Sequence, residues 1–163
     1  MTLPGRRAIN LGAFAVCAAL MAYALYAEHV LMYMPCPLCV LQRVAVIALG
    51  AVFLAAGLHH PAAWGRYAYA GLTGIVAAAG IAVAGRHVWV QHLPPDAVPA
   101  CGPGLGSMLE RLPPLEVLTL VFTGSGECAA IDWQFLGLSM PAWVLAWLVV
   151  LGAVGAWNNL RRP

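Results

Sequence analysis

From Ala8 to Ala27 the chain runs through 20 residues without a charged side chain, and three further apolar stretches follow, about Cys39 to Leu58, Tyr67 to Gly85 and Phe135 to Trp157. Crossing about 30 Å of hydrocarbon at about 1.5 Å of helical rise per residue takes roughly 20 residues. Each stretch meets or approaches that length. The second is interrupted only by Gln42 and Arg43 near its start, and the fourth carries Ser139 and Pro141 early. A membrane barrel would alternate polar and apolar residues over about ten positions. These runs are continuously apolar and rich in Ala, Leu and Gly, so helices are the expected spanning element, each satisfying its own backbone hydrogen bonds in lipid. A content of 63% hydrophobic and 9% charged residues excludes an ordinary soluble domain.

The expectation is an all-α membrane protein: a four-transmembrane-helix bundle forming one integral domain over 1–163, with helices near 8–27, 39–58, 67–85 and 135–157. The connections are then 28–38, 59–66 and a long one at 86–134. All eight cationic residues are arginine, and Arg6, Arg7, Arg66, Arg161 and Arg162 flank the ends that an even number of spans brings to one side. The positive-inside rule makes that side, with both termini and the 59–66 loop, cytoplasmic. The six acids, Glu28, Asp96, Glu110, Glu116, Glu127 and Asp132, fall in or beside the two outer loops. No nucleic-acid partner is expected. A cleaved signal peptide is the alternative for the first run, where Arg6-Arg7 precede it and Ala22-Tyr23-Ala24 ends it. That run is longer than a usual signal core, and cleavage would leave three helices.

The long outer segment carries Pro94-Pro95, Pro99, Pro103 and Pro113-Pro114 with Gly102, Gly104 and Gly106, which break regular structure repeatedly and predict a mobile loop. Within it, Leu115 to Phe122 is strongly apolar but too short to span. It reads as a short helix lying in the outer interface, with a buried strand as the alternative.

Four of the five cysteines lie on the outer side: Cys36 and Cys39 at the mouth of the second helix, Cys101 and Cys128 in the long loop. An oxidising compartment is where disulfides persist, so cysteine placement agrees with the topology. Cys-x-x-Cys is shared by redox motifs, zinc sites and haem attachment sites. Haem attachment requires His after the second Cys, and Val40 stands there. Zinc would use Cys36, Cys39, Cys101 and Cys128, but the second two lie far apart in sequence and thiolate ligands would have to stay reduced. Structural disulfides are the other alternative, although a bridge across two residues removes little chain entropy.

Pro37 suits the first turn of a helix, because its missing N–H would be unpaired there. Cys39 then sits in or near that first turn, where free N–H groups and the macrodipole stabilise a thiolate. Arg43, at i+4, lies on the same face and can hold an oxygen of a bound electron acceptor. An arginine at the outer end works against the positive-inside bias, which favours function over interfacial anchoring. His87, at the outer end of the third helix with Gln91 one turn on and Trp89 between, is a second candidate contact at the depth of Arg43. Cys17, mid-helix in the first span, is expected to pack as a small hydrophobe. His59 and His60 read as interfacial polar residues.

Cys36-Pro37-Leu38-Cys39 followed by Gln42-Arg43, the stretch His87 to Gln91, the run Pro-Ala-Cys101-Gly-Pro-Gly-Leu, Gly124-Ser125-Gly126-Glu127-Cys128-Ala129 and the later Trp133, Phe135-Leu136-Gly137-Leu138 and Met140-Pro141 together resemble the DsbB family. These are bacterial inner-membrane enzymes that reoxidise the periplasmic oxidase DsbA and pass electrons to quinone. The resemblance implies that Cys101 and Cys128 form a loop disulfide, that reduced DsbA attacks Cys101, and that Cys128 then attacks Cys36 and releases Cys39 as a thiolate. It implies Arg43 and His87 as quinone contacts, ubiquinone or menaquinone as cofactor, a DsbA-like periplasmic partner, and the bacterial inner membrane as location with the cysteine loops periplasmic. Gly106-Ser107 departs from the acid and aromatic expected in many relatives, a difference that bears on partner docking. A vitamin K epoxide reductase-like protein shares a four-helix core and a Cys-x-x-Cys, but places that motif late in the bundle. A membrane scaffold stapled by disulfides or zinc is the non-enzymatic alternative.

Overall fold

The computed structural model describes residues 4–59, 61, 63–98 and 105–161. In chain order the elements are α1 (Arg6–His29), α2 (Pro37–His59), α3 (Trp64–Val90), a 3-10 turn (Pro95–Ala97), α4 (Leu105–Arg111), α5 (Pro114–Thr123), α6 (Gly126–Ala129), the strands β1 (Gln134–Phe135) and β2 (Leu138–Ser139), and α7 (Met140–Leu160). Among the described residues α1, α2, α3 and α7 are long and apolar enough to cross a membrane. They form the four-helix bundle that hydropathy demands. Many of their apolar residues remain exposed, Ile47, Leu72, Ile75 and Val150 among them, as lipid-facing surfaces must be.

The helices pack in a ring, α1 on α2, α2 on α3, and α3 on α7, with a shorter seam closing α7 back onto α1. The core between them holds Leu49, Phe53, Ala77, Leu148 and Leu151, with Cys17 packed among them as expected. Lipid tails are as apolar as leucine, so close backbone approach does the work that water expulsion does in soluble proteins. A Cβ added at Gly152 would lie 2.7 Å from that of Ala77, and one at Gly155 would come within 2.6 Å of Phe53 and Thr73. At one end α1 and α7 are tied by amides: Asn10 donates to Asn159 (3.3 Å), and Asn158 donates to Asn10 (3.1 Å) and to the Arg6 carbonyl (3.1 Å). Towards the other end no hydrogen bond joins these two helices among the described residues.

The expected short apolar helix is α5. Its Val117 and Val121 turn inward and share a second core with Cys36, Leu38, Val90, Met108 and Cys128, so the loop is packed onto the start of α2 and the end of α3. Arg86 ties it down by donating to the last carbonyls of α5, at Phe122 (2.8 Å) and Thr123 (3.0 Å). The chain then turns at Gly124, whose φ of +84° suits a residue without a Cβ. The hairpin pairs Gln134 with Ser139 and Phe135 with Leu138 around Leu136 and Gly137, both at positive φ. Two such residues in sequence make a turn that matches strand twist. The last helix therefore starts at Met140, with Pro141 in its first turn where no N–H is needed.

Candidate thiol redox site

Pro37 opens α2, which makes Cys36 the residue before the helix. The Cys36 carbonyl accepts from the Val40 N–H (3.1 Å) and its sulfur accepts from the Cys39 N–H (3.4 Å). The Cys36 side chain thus caps the helix, satisfying one of the donors that every helix start leaves unpaired. The two sulfurs stand 3.3 Å apart as a dithiol, Cys36 buried and Cys39 half-buried.

Cys128 lies in the short helix α6 and is buried against this pair. The Cys36 sulfur, a His87 ring nitrogen and the Cys128 sulfur all lie within 4.8 Å of one another. His87, 2% exposed, stands between the two polypeptide segments. Gln42 donates from its amide nitrogen to His87 Nδ1 (2.8 Å), which leaves the ring proton on Nε2. That Nε2–H donates to the Cys128 carbonyl (3.1 Å), and the Cys36 sulfur is 3.7 Å from the same nitrogen. A hydrogen bond that the Cys128 S–H donates to the Cys36 sulfur, together with burial, pushes the Cys128 thiol well above its ordinary 9.0. Two thiols and an imidazole suit a soft divalent cation, but here both ring nitrogens already have protein partners. Cys101 lies outside the described residues, as does His60.

Beside the dithiol is a cavity of about 320 Å³ lined by Cys36, by Cys39, Gln42 and Arg43 of α2 and His87 of α3, by Leu20, Met21, Tyr23, Ala24 and Glu28 of α1, by Trp133 and Phe135, and by Pro141, Trp143, Val144 and Trp147 of α7. Its size falls within the range of small-molecule sites, and its walls are largely aromatic and apolar with few polar groups. Arg43 and Cys39 both face it, as the i+4 spacing requires. Arg43 donates through Nη1 to the Glu28 carboxylate and through Nη2 to the Ala24 carbonyl (3.2 Å). Of five N–H donors on the guanidinium, others stay available to a ligand oxygen. Tyr23, Trp133, Phe135 and Trp143 form a run of ring contacts along the cavity rim.

Sequence reasoning missed two partners. Glu28 supports Arg43, and the signal was an acid closing an otherwise uncharged run. Gln42 orients His87, and the signal was an amide inside an apolar helix, where a polar group needs a partner. Gln91 instead accepts from Ser139 (2.7 Å) and joins α3 to the start of α7, while Trp89 is 63% exposed. His59 is hydrogen-bonded to Tyr69.

Comparison with known proteins returns one family, described as Disulfide bond formation protein DsbB, matching residues 6–158. The chain is similar to disulfide bond formation protein B of Nitrosococcus oceani, 52% identical over 161 residues that cover 99% of this chain and 95% of the relative. It is 51% identical to the Methylococcus capsulatus protein of that name, over 99% of this chain and 100% of the relative. The Acinetobacter baumannii protein is 53% identical, over 86% of this chain and 83% of the relative.

Proposed function

The chain belongs to the DsbB family of disulfide bond formation proteins, and on that premise we propose that this multi-pass membrane oxidoreductase reoxidises a DsbA-like periplasmic dithiol oxidase and delivers the electrons to membrane quinone. The site residues in this reading are Cys36, Cys39, Cys101 and Cys128 for exchange and Arg43 for holding quinone. Reduced partner attacks Cys101 of a Cys101–Cys128 disulfide; the electron pair leaves on Cys128, and the partner's second thiol then displaces Cys101. Cys128 attacks Cys36 of the helix pair, and the electron pair leaves on Cys39, whose place at the helix start makes it the better leaving group. The free Cys101 then attacks Cys128, restoring the loop disulfide and releasing Cys36, so that Cys36 and Cys39 are left reduced as the two-electron donor. Quinone, when bound, accepts two electrons and two protons and becomes quinol. Arg43, anchored by Glu28, would hold one of its oxygens, and the aromatic wall would take its ring.

The observation that carries the reading is that Cys39 and Arg43 line one apolar cavity while Cys128 lies against Cys36 at its edge. A bacterial inner membrane, cytoplasmic termini and periplasmic cysteine loops complete it. The test is to mix the purified full chain with a reduced DsbA-like partner and a soluble quinone and follow quinone absorbance. Loss of the quinone band supports the reading; an unchanged band with folded protein sinks it. Labelling Cys39 with a membrane-impermeant reagent from the periplasmic side tests orientation.

A further inference from the structure

The outer end of α3 grips the segment that bears Cys128 from both sides. Arg86 holds the carbonyls of Phe122 and Thr123, and one residue on His87 holds the carbonyl of Cys128 itself. His87 is buried, and its donor atom is specified: Gln42 occupies Nδ1 as a donor, so only Nε2 carries a proton. A buried imidazole with both nitrogens engaged has no rotational freedom to spare. We infer that His87, oriented by Gln42, is a positioning residue that latches α6 onto the bundle and sets the Cys128 sulfur against Cys36 for exchange between the two cysteine pairs. This rests on the exchange sequence proposed above.

The step it serves balances without an external reagent. Cys128 enters the step as the thiolate released from the loop disulfide and attacks the Cys36 sulfur, the Cys36–Cys39 bond breaks as the Cys36–Cys128 bond forms, and the electron pair departs on Cys39. What the latch supplies is proximity, which raises the effective concentration of one thiol at the other. The role also separates His87 from Arg43, which lines the cavity and has guanidinium N–H groups beyond those bonded to Glu28 and Ala24.

The test isolates the two sulfurs. In the full-length chain carrying Cys17→Ala, Cys39→Ser and Cys101→Ser, only Cys36 and Cys128 remain, and their disulfide is titrated against a glutathione redox buffer with alkylation and mass spectrometry as the readout. His87→Phe keeps a ring but removes the donor. It should lower the equilibrium constant for the Cys36–Cys128 bond at least tenfold, which is a rise of about 30 mV in its potential. His87→Gln retains an N–H and should recover most of that loss. Gln42→Met, which leaves the imidazole unoriented, should give an intermediate loss. An unchanged constant in His87→Phe overturns the inference, and so does a His87→Gln value as low as that of His87→Phe, since packing would then explain both. Should His87→Phe fail to fold, Gln42→Met decides, and the absence of a shift there overturns it. Neither quinone nor partner enters this titration, so a wild-type chain that fails to reduce quinone would sink the proposed function and leave the latch to stand or fall separately.

Discussion

Arg43 in the second turn of α2 is ion-paired with Glu28 in the last turn of α1, across the rim of the cavity that Cys39 lines. Two helices therefore share the task of aiming one guanidinium. The pair is part-exposed and screened by solvent, so it adds little to stability and its value lies in orientation. Glu28→Gln should leave the melting temperature within a degree or two and raise the KM for quinone a few-fold. Arg43→Gln removes a charged hydrogen-bond donor, typically about 1.5–3 kcal/mol, so kcat/KM for quinone should fall roughly tenfold to a hundredfold. Steady-state quinone absorbance against quinone concentration checks both.

Cys39→Ser should abolish electron delivery to quinone while the protein stays folded, because the serine oxygen is neither a leaving group nor a nucleophile of comparable reactivity. Cys17→Ala should keep full activity. Buried 2% exposed against Gly50, its sulfur is a packing atom, and its loss costs about 1 kcal/mol. Turnover and thermal unfolding of the two variants separate chemistry from packing.

The docked Cys128 thiol has its pKa raised above the ordinary 9.0, so the folded state favours the protonated form. The stability this gives to docked α6 is present in full below about pH 9 and is lost as pH rises above it. In the reduced protein, alkylation of Cys128 should be slower than that of an exposed thiol at pH 8 and should keep rising past pH 9, where an exposed thiol levels off. Timed alkylation with peptide mapping across pH 7 to 11 reads this directly. A rate that levels off near pH 9, as for an exposed thiol, would contradict the buried Cys36 contact.

The asparagine tie between α1 and α7 should show the asymmetry of buried polar groups. Asn10→Leu leaves the buried Asn159 Oδ1 without its donor and takes one of two acceptors from the buried Asn158 amide, at about 1–3 kcal/mol. The double change Asn10→Leu with Asn158→Leu should cost less than the sum of the two single changes. Thermal unfolding in detergent of the four chains closes the cycle.

The long apolar runs determined four spanning helices, because a segment in lipid must satisfy its own backbone and therefore has one choice of structure. Pro37 determined where α2 begins, the two-residue offset from it put Cys39 in the first turn, and the four-residue offset from Cys39 to Arg43 placed both on one helical face, since those relations lie within a single turn or two of regular backbone. The start of α7 was less legible: Phe135 to Ser139 are apolar enough to pass for helix, and the Leu136-Gly137 turn makes them a hairpin. What only the tertiary structure decided is every relation across helices. That Glu28 meets Arg43, that Gln42 meets His87, and that Cys128 reaches Cys36 from 92 positions away depend on how each helix is rotated about its axis and on where Arg86 pins the loop. Hydropathy is blind to that rotation, because a lipid-facing side and a protein-facing side are almost equally apolar. It is set by the glycine and alanine contacts along the seams and by the few buried polar groups that must find one another.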